Sequence, residues 1–177
     1  SDSQRRPLPW CNWQNTVYHG LPHDLYKFHP EPGKYLAFLG RVSPEKCPDQ
    51  AIELAKRVGI PMKMAAKVDP ADRAYFERVV EPLLDHPLIE FVGEITDAEK
   101  SDFIGNAIGL ICPYDWPEPF GLVLIESLAC GTPVLAYRRG SIPEIIGHGV
   151  TGFISENLDE MVSQVDKLGT IDRNRCR

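Results

Sequence analysis

Short apolar runs alternate with mixed polar and apolar stretches along most of the chain. The apolar runs are bounded by Gly, Pro or charged residues, which is typical of buried β-strands. The stretches between them have a helical pattern of apolar positions. The predicted strands span residues 35–39, 62–66, 89–92, 108–112 and 134–137, and the predicted helices lie near residues 49–58, 71–84, 97–106, 122–130 and 159–168.

This alternation predicts an α/β fold, a Rossmann-like doubly wound parallel sheet with helices on both faces. Local signals agree with it. Gly59 and Gly131 stand where helices should end, and the segments 96–99 and 141–144 both have the spacing of a capping box. In such folds ligands bind at the carboxyl ends of the strands, so the loops after residues 39, 92 and 112 are the expected place for a site.

The first 34 residues differ from the rest because they contain several prolines and aromatic residues and have no sustained period. We therefore expect residues 1–34 to be a linker at the end of a missing N-terminal domain, and residues 35–177 to be the Rossmann-like domain. The chain begins with Ser inside this segment, which favours a piece of a longer protein.

Composition and charge argue against several classes of function. A net charge of −6 gives no global positive field that would attract nucleic acid. With no run of apolar residues long enough for a membrane span and no signal peptide, we expect a cytoplasmic domain with no evident membrane contact. The five cysteines have no Cys-x-x-Cys spacing, which predicts reduced thiols and no metal site: Cys11, Cys47, Cys112, Cys130 and Cys176.

The stretch 114–134 contains two glutamates, Glu118 and Glu126, on either side of a loop-to-helix junction. At helical pitch, eight residues separate the two carboxylates by about 12 Å, so they could hold the two ends of one long polar ligand. Between them the helix N-terminus near Gly121 favours an anion such as phosphate. The alternative is a surface position for Glu118 and a structural hydrogen bond for Glu126, and spacing alone leaves both open.

A second candidate is the loop that begins at Gly40, where Arg41 and Lys46 could neutralise a diphosphate. Its alternative is a pair of solvated cations. The Gly-x-Gly-x-x-Gly match at 147–152 follows a short helix and opens a strand, so it predicts a turn rather than a dinucleotide site. His19 and His23 lie among turn residues and do not predict a metal site.

Taken together, these motifs resemble the C-terminal domain of family 4 retaining glycosyltransferases of the GT-B fold. The resemblance covers residues 16–168. It rests most specifically on the two-glutamate run joined to Gly-Thr-Pro-Val, and more broadly on Gly40-Arg41 with Lys46, Phe91-Val-Gly93, Pro117–Glu126, Ala129–Val134 and Gly140–Ile145.

The resemblance implies a site for a nucleotide-sugar donor, with UDP-sugar as the default. It assigns the diphosphate to Arg41 and Lys46, the donor sugar to Glu118, and the ribose to Glu126. Arg41, Lys46 and Glu118 would be the catalytic residues. The reaction implied is sugar transfer with retention, needing no metal or cofactor. The remaining donor-binding residues are Gly40, the loop Gly93, Glu94 and Ile95, which would contact the base, and Phe120, Gly121 and Leu122, whose backbone amides would support the sugar and phosphate.

The chain departs from the family pattern in that Cys47 stands where a glycine commonly follows the loop lysine. Against the family pattern, we expect this chain to lack the N-terminal domain, which would carry the acceptor site, and to have the C-terminal helix cut off after Arg177. We therefore expect this domain alone to be inactive. The alternatives are another GT-B enzyme, such as a UDP-sugar epimerase or a phosphorylase, and a non-catalytic nucleotide-sugar-binding module.

Overall fold

The computed structural model describes all residues from 1 to 177 and contains one six-stranded sheet. Every pair of neighbouring strands is parallel, and the strand order is β3-β2-β1-β4-β5-β6. The order reverses between β1 and β4, as in a doubly wound sheet. The strands are β1 (Tyr35–Arg41), β2 (Met62–Lys67), β3 (Ile89–Gly93), β4 (Ala107–Cys112), β5 (Val134–Tyr137) and β6 (Gly152–Ser155).

Helices flank this sheet. α1 packs against α7, and α4 packs against α5. The Rossmann-like α/β fold expected from the sequence is confirmed. The helices are α1 (Pro48–Val58), α2 (Arg73–Tyr75), α3 (Glu81–Leu84), α4 (Asp97–Gly105), α5 (Leu122–Ala129), α6 (Ile142–Ile145), α7 (Leu158–Gln164) and α8 (Arg173–Cys176).

The central strands are apolar because the helices cover both of their faces. In β1, Leu36, Ala37 and Phe38 have no exposed surface, and β4 and β5 are buried almost throughout. The edge strand β3 instead alternates half-buried and exposed residues. The buried central strands, unlike β3, give the near-continuous apolar runs from which the sheet could be predicted.

Two of the predicted helices are not regular. The stretch predicted as one helix over 71–84 consists of a 3-10 turn, α2, a π-helical turn at Phe76–Val80 and α3. Pro82 lies at the start of α3 and has no N–H to donate, so a continuous α-helix cannot form there. The helix predicted over 159–168 ends at Gln164 and continues as the 3-10 helix Val165–Thr170.

One of the two predicted capping boxes forms. Thr96 and Glu99 satisfy each other's free donors at the start of α4, with Thr96 N donating to Glu99 at 2.8 Å. The capping box predicted from Ser141 and Glu144 is wrong. Ser141 Oγ donates to the Phe120 carbonyl at 2.9 Å, and the Glu144 carboxylate accepts hydrogen bonds from the N-terminal segment.

The first 34 residues contain the short 3-10 helix Asp2–Arg5 and are otherwise irregular. The carboxylate of Glu144 holds this segment against the domain. It accepts the backbone N–H groups of Asp2 and Ser3, each at 2.7 Å, and the hydroxyl of Tyr18 at 3.0 Å. Glu144 therefore ties the N-terminal segment to α6.

The Gly-x-Gly-x-x-Gly match forms a turn between α6 and β6, as predicted. No helix of the structure combines the length and the apolar character needed to cross a bilayer.

Candidate functional site

The loops that follow β1 and β4 meet at the point where the strand order reverses. The backbone N–H of Asp115 donates to the carbonyl of Glu45 at 3.0 Å, which joins the two loops. Next to this contact, Lys46 Nζ lies 2.5 Å from Glu118 Oε2. Lys46 and Glu118 are 72 residues apart in the sequence. The parallel pairing of β1 with β4 brings their loops together.

A cavity of about 330 Å³ opens at this point. Six of the predicted site residues line it: Gly40, Lys46, Glu118, Phe120, Gly121 and Leu122.

A smaller cavity of about 110 Å³ shares the residues Leu39 and Gly40 with the first. Two further predicted residues, Glu94 and Ile95, line it together with the end of β2. The two cavities therefore form one cleft along the carboxyl edge of β4, β1 and β2.

The charged pair at the centre of the cleft is largely buried. The side chains of Lys46 and Glu118 are 15% and 8% exposed. The Lys46 ammonium lies 3.9 Å from the centre of the Tyr114 ring and 5.2 Å from that of Trp116. The indole N–H of Trp116 donates to Glu118 Oε2 at 3.0 Å. Of the two alternatives for Glu118, a surface position is thereby excluded.

The backbone of Glu118 is fixed from behind by the start of α6. Its carbonyl accepts the N–H of Ser141 at 2.9 Å. Gly140 has φ +55°, and a Cβ there would lie 2.2 Å from the same carbonyl oxygen. This close approach requires glycine, so the Gly-Ser pair of the sequence serves to position the Glu118 loop.

The N-terminus of α5 forms another wall of the cavity. Gly121 precedes the helix with φ +83°. The first intrahelical bond at this end runs from Leu124 N to the Gly121 carbonyl at 3.0 Å, which leaves the N–H groups of Leu122 and Val123 without a helical partner. Both residues line the cavity, so unpaired donors and the positive end of the helix dipole lie beside Lys46.

Cys47 keeps the backbone geometry that a glycine would supply. It is the one residue other than glycine with positive φ, at φ 48° and ψ 51°. It lies between a 3-10 turn at Pro44–Lys46 and the start of α1, where the chain must reverse. The departure from the family pattern therefore leaves the turn intact and Lys46 directed at Glu118.

Three predicted site residues lie outside the lining of both cavities: Arg41, Gly93 and Glu126. Arg41 is half exposed and lies 3.1 Å from Glu45 and 3.8 Å from Asp69. Gly93 ends β3 with φ +82°. The structure therefore brings Lys46 to the cavity but leaves Arg41 paired at its edge.

Glu126 is buried in α5 and is paired with Lys100 of α4 at 3.3 Å. Burial lowers the pKa of Lys100, but its hydrogen bond to Asp97 and the charge of Glu126 outweigh burial and raise that pKa overall. Burial, and after it Glu126, raises the pKa of Tyr26. Glu126 is thus compensated by a lysine rather than by the backbone hydrogen bond considered from the sequence.

Three residues around the cleft were missed by the sequence interpretation. Tyr114 and Trp116 surround Lys46, and their signal was the aromatic spacing within the segment that ends at Glu118. His19 lines the main cavity and meets the Phe120 ring edge-on, with the ring centres 4.9 Å apart. Nothing in the sequence pattern places His19 there, because it precedes the sheet in an irregular segment.

No group of three or more His, Cys, Asp or Glu side chains is placed to hold a metal ion. The five cysteines are unpaired.

The sequence matches a family of proteins described as glycosyl transferases group 1, over residues 26–175. The chain belongs to this family. It is 29% identical over 140 residues to a D-inositol 3-phosphate glycosyltransferase of Mycobacterium marinum, a match that covers 76% of this chain and 30% of that protein. The chain thus spans less than a third of that relative.

Two solved structures resemble the fold. One is Anabaena Alr3699/HepE in complex with UDP and glucose, with a TM-score of 0.79 and 20% identity over 90% of this chain and 49% of that one. The other is AviGT4, a glycosyltransferase involved in avilamycin A biosynthesis, with a TM-score of 0.77 and 21% identity over 99% of this chain and 56% of that one. The fold is that of one half of a GT-B glycosyltransferase.

Proposed function

We propose that this chain is the donor-binding half of a retaining glycosyltransferase that takes a sugar from a nucleotide sugar. The observation that carries the proposal is the cavity where the strand order reverses. It combines the buried Lys46–Glu118 pair with the free N–H groups at the start of α5. A cation and a helix N-terminus favour phosphate, and a buried carboxylate accepts hydrogen bonds from sugar hydroxyls.

In the proposed complex the diphosphate lies between Lys46 and the first turn of α5. Glu118 then faces the donor sugar, and the smaller cavity beside Glu94 and Ile95 receives the base. Glu126 is assigned to the ribose. Because Glu126 lines neither cavity and is paired with Lys100, this contact requires either that the nucleotide extends beyond the main cavity or that Lys100 releases Glu126. Arg41 binds the diphosphate after its ion pairs with Glu45 and Asp69 break. Its side chain is half exposed, so it can change partners in this way.

UDP is the default nucleotide for this proposal. It is supported by the Anabaena structure, which is described as a complex with UDP and glucose. The curated relative from Mycobacterium marinum is named as a glycosyltransferase, which supports sugar transfer in the longer protein.

The chemistry assigned to these residues is stabilisation of the leaving nucleoside diphosphate. Negative charge develops on the phosphate oxygen as its bond to the anomeric carbon breaks. Lys46, Arg41 and the start of α5 would lower the free energy of that charge, and the proposal requires no metal. Transfer of the sugar with retention would need an acceptor site on the preceding domain, so this chain alone is expected to be inactive.

The test is a thermal-shift series with UDP, GDP and ADP, then with UDP-glucose, GDP-mannose and ADP-glucose. One nucleotide should raise the melting temperature, and Arg41→Ala and Glu126→Ala should each remove most of that shift. Lys56→Ala is the control, because Lys56 lies in the last turn of α1, on the way to the amino end of β2. The absence of any shift, or an unchanged shift in both variants, would contradict the proposal.

A further inference from the structure

We infer that Trp116 and Tyr114 are positioning residues that hold the Lys46–Glu118 pair in a fixed geometry, so that one carboxylate oxygen of Glu118 stays open to a sugar hydroxyl. The inference rests on the proposed function and deepens it. Neither residue was expected from the sequence to belong to the site.

The two oxygens of Glu118 have different surroundings. Both protein donors, Lys46 Nζ at 2.5 Å and Trp116 Nε1 at 3.0 Å, bind the same oxygen, Oε2. The other oxygen, Oε1, accepts no hydrogen bond from the chain, although the side chain is only 8% exposed and lines the cavity. A carboxylate in this position is oriented by one oxygen and has the other available for a ligand.

The ammonium of Lys46 is held by the aromatic rings rather than by a second carboxylate. It lies 3.9 Å from the centre of the Tyr114 ring, and Tyr114 is only 1% exposed. A cation over a buried ring is attracted by the ring's negative face. The ring therefore supports the ammonium at the cavity wall without consuming its hydrogen-bond donors.

The loop between these residues allows little movement. Asp115 N is bonded to Glu45, and Glu118 N donates to the Trp116 carbonyl at 2.8 Å. Proline stands on both sides of Glu118, at residues 117 and 119. These backbone bonds and the indole hydrogen bond together hold Trp116 beside the Glu118 carboxylate.

This arrangement predicts that Trp116 and Tyr114 contribute differently to the binding of a bare nucleotide and of a nucleotide sugar. When a diphosphate draws Lys46 away, Glu118 loses one of its two partners. The Trp116 N–H remains and keeps Oε1 directed at the cavity. Trp116 should therefore affect binding of the sugar and leave binding of the diphosphate almost unchanged, whereas the Tyr114 ring should affect the diphosphate through Lys46.

The experiment compares Trp116→Phe, Tyr114→Leu and Tyr114→Phe with the wild-type chain by calorimetric titration of UDP and of UDP-glucose. Trp116→Phe keeps a ring and removes the N–H, and should weaken UDP-glucose about tenfold and UDP less than about twofold, as expected for one hydrogen bond to a charged group. Tyr114→Leu removes the ring and should weaken both ligands. Tyr114→Phe keeps the ring and should leave both affinities unchanged.

Equal weakening of UDP and UDP-glucose by Trp116→Phe, or no effect on either, would overturn the inference. A ligand-free measurement separates this result from failure of the proposed function. The indole N–H of Trp116 should exchange slowly with water in the wild-type chain and faster in Glu118→Ala. If the wild-type chain binds neither ligand, the proposed function is wrong. Equally fast exchange in both proteins would then reject the role of Trp116 as well.

Discussion

The two buried glutamates near α5 are alike in burial, but their surroundings differ. Glu118 is paired with Lys46 at 2.5 Å and Glu126 with Lys100 at 3.3 Å. The first pair lies on loops and lines the main cavity, whereas the second joins α4 to α5 and lines neither cavity of the cleft. Lys100 has a second carboxylate, Asp97, at 2.9 Å, and Lys46 has aromatic rings instead.

Under the proposed function, this difference separates a pair that would receive a ligand from a pair that is satisfied within the fold. The Lys46–Glu118 pair has a free oxygen and a cation that a phosphate can attract. The Lys100–Glu126 pair is satisfied without a ligand, and its proposed contact with ribose requires rearrangement. Substitutions in and around each pair test this contrast.

Lys46→Met should have the largest effect because it leaves Glu118 buried with one neutral donor. We expect a loss of about 3 kcal/mol in the free energy of unfolding, the usual result of removing one partner of a buried pair. UDP affinity should fall about tenfold or more through loss of a charged contact. Urea unfolding and calorimetry measure both. The double variant Lys46→Met/Glu118→Gln should regain part of the stability and none of the affinity; recovery of affinity would refute the role of Lys46.

Gly140→Ala should come next, because its Cβ would overlap the Glu118 backbone at 2.2 Å. We expect a destabilisation of about 2 kcal/mol together with weaker binding of UDP-glucose. Gly59→Ala is the matched control, since Gly59 also has positive φ, at +69°, but has open space around its Cβ. It should cost about 1 kcal/mol from backbone strain alone and leave binding unchanged. Equal binding losses in the two variants would show that Gly140 has no special relation to Glu118.

Glu126→Gln should cost less than Lys46→Met, because Lys100 keeps Asp97 as a partner. We expect about 1 kcal/mol in stability, measured by urea unfolding. A cost as large as that of Lys46→Met would contradict the contrast between the two pairs.

The smallest effect concerns alkaline pH. The pKa of Lys100 is raised above its ordinary value of 10.5. Its stabilisation is therefore complete below the unfolded value and is lost as pH rises through the higher folded value. Half-buried Tyr35 and buried Tyr137, whose pKa values burial raises to about 12, act in the same direction. Wild-type stability should fall more steeply above pH 10.5 than that of Lys100→Met; parallel curves would contradict this prediction.

Much of the fold could be predicted because the strands are buried on both faces and leave short apolar runs. The strand at 134–137 was predicted with its observed bounds. The helix breaks near Pro82 and after Gln164 were not, because local bonding at a proline and a change to 3-10 geometry leave the apolar pattern unchanged. Ser141 and Glu144 have capping-box spacing, yet tertiary partners take both side chains.

The position of Lys46 and Glu118 in loops that follow buried strands could be predicted, and both line one cavity. Their mutual contact could not, because it depends on the order of strands in the sheet. The aromatic support from Tyr114 and Trp116 depends on side-chain directions within one loop, and His19 on the path of an irregular segment. These contacts follow from tertiary packing, and the spacing of Tyr114 and Trp116 alone does not show which residues they contact.

A crystal structure of this chain with UDP would show directly whether the Lys46–Glu118 pair receives the diphosphate. We predict the diphosphate beside Lys46 and the first turn of α5, with Lys46 Nζ moved from Glu118 to a phosphate oxygen and the Trp116 hydrogen bond to Glu118 retained. UDP bound elsewhere, with the Lys46–Glu118 contact unchanged, would show that this pair does not bind the donor.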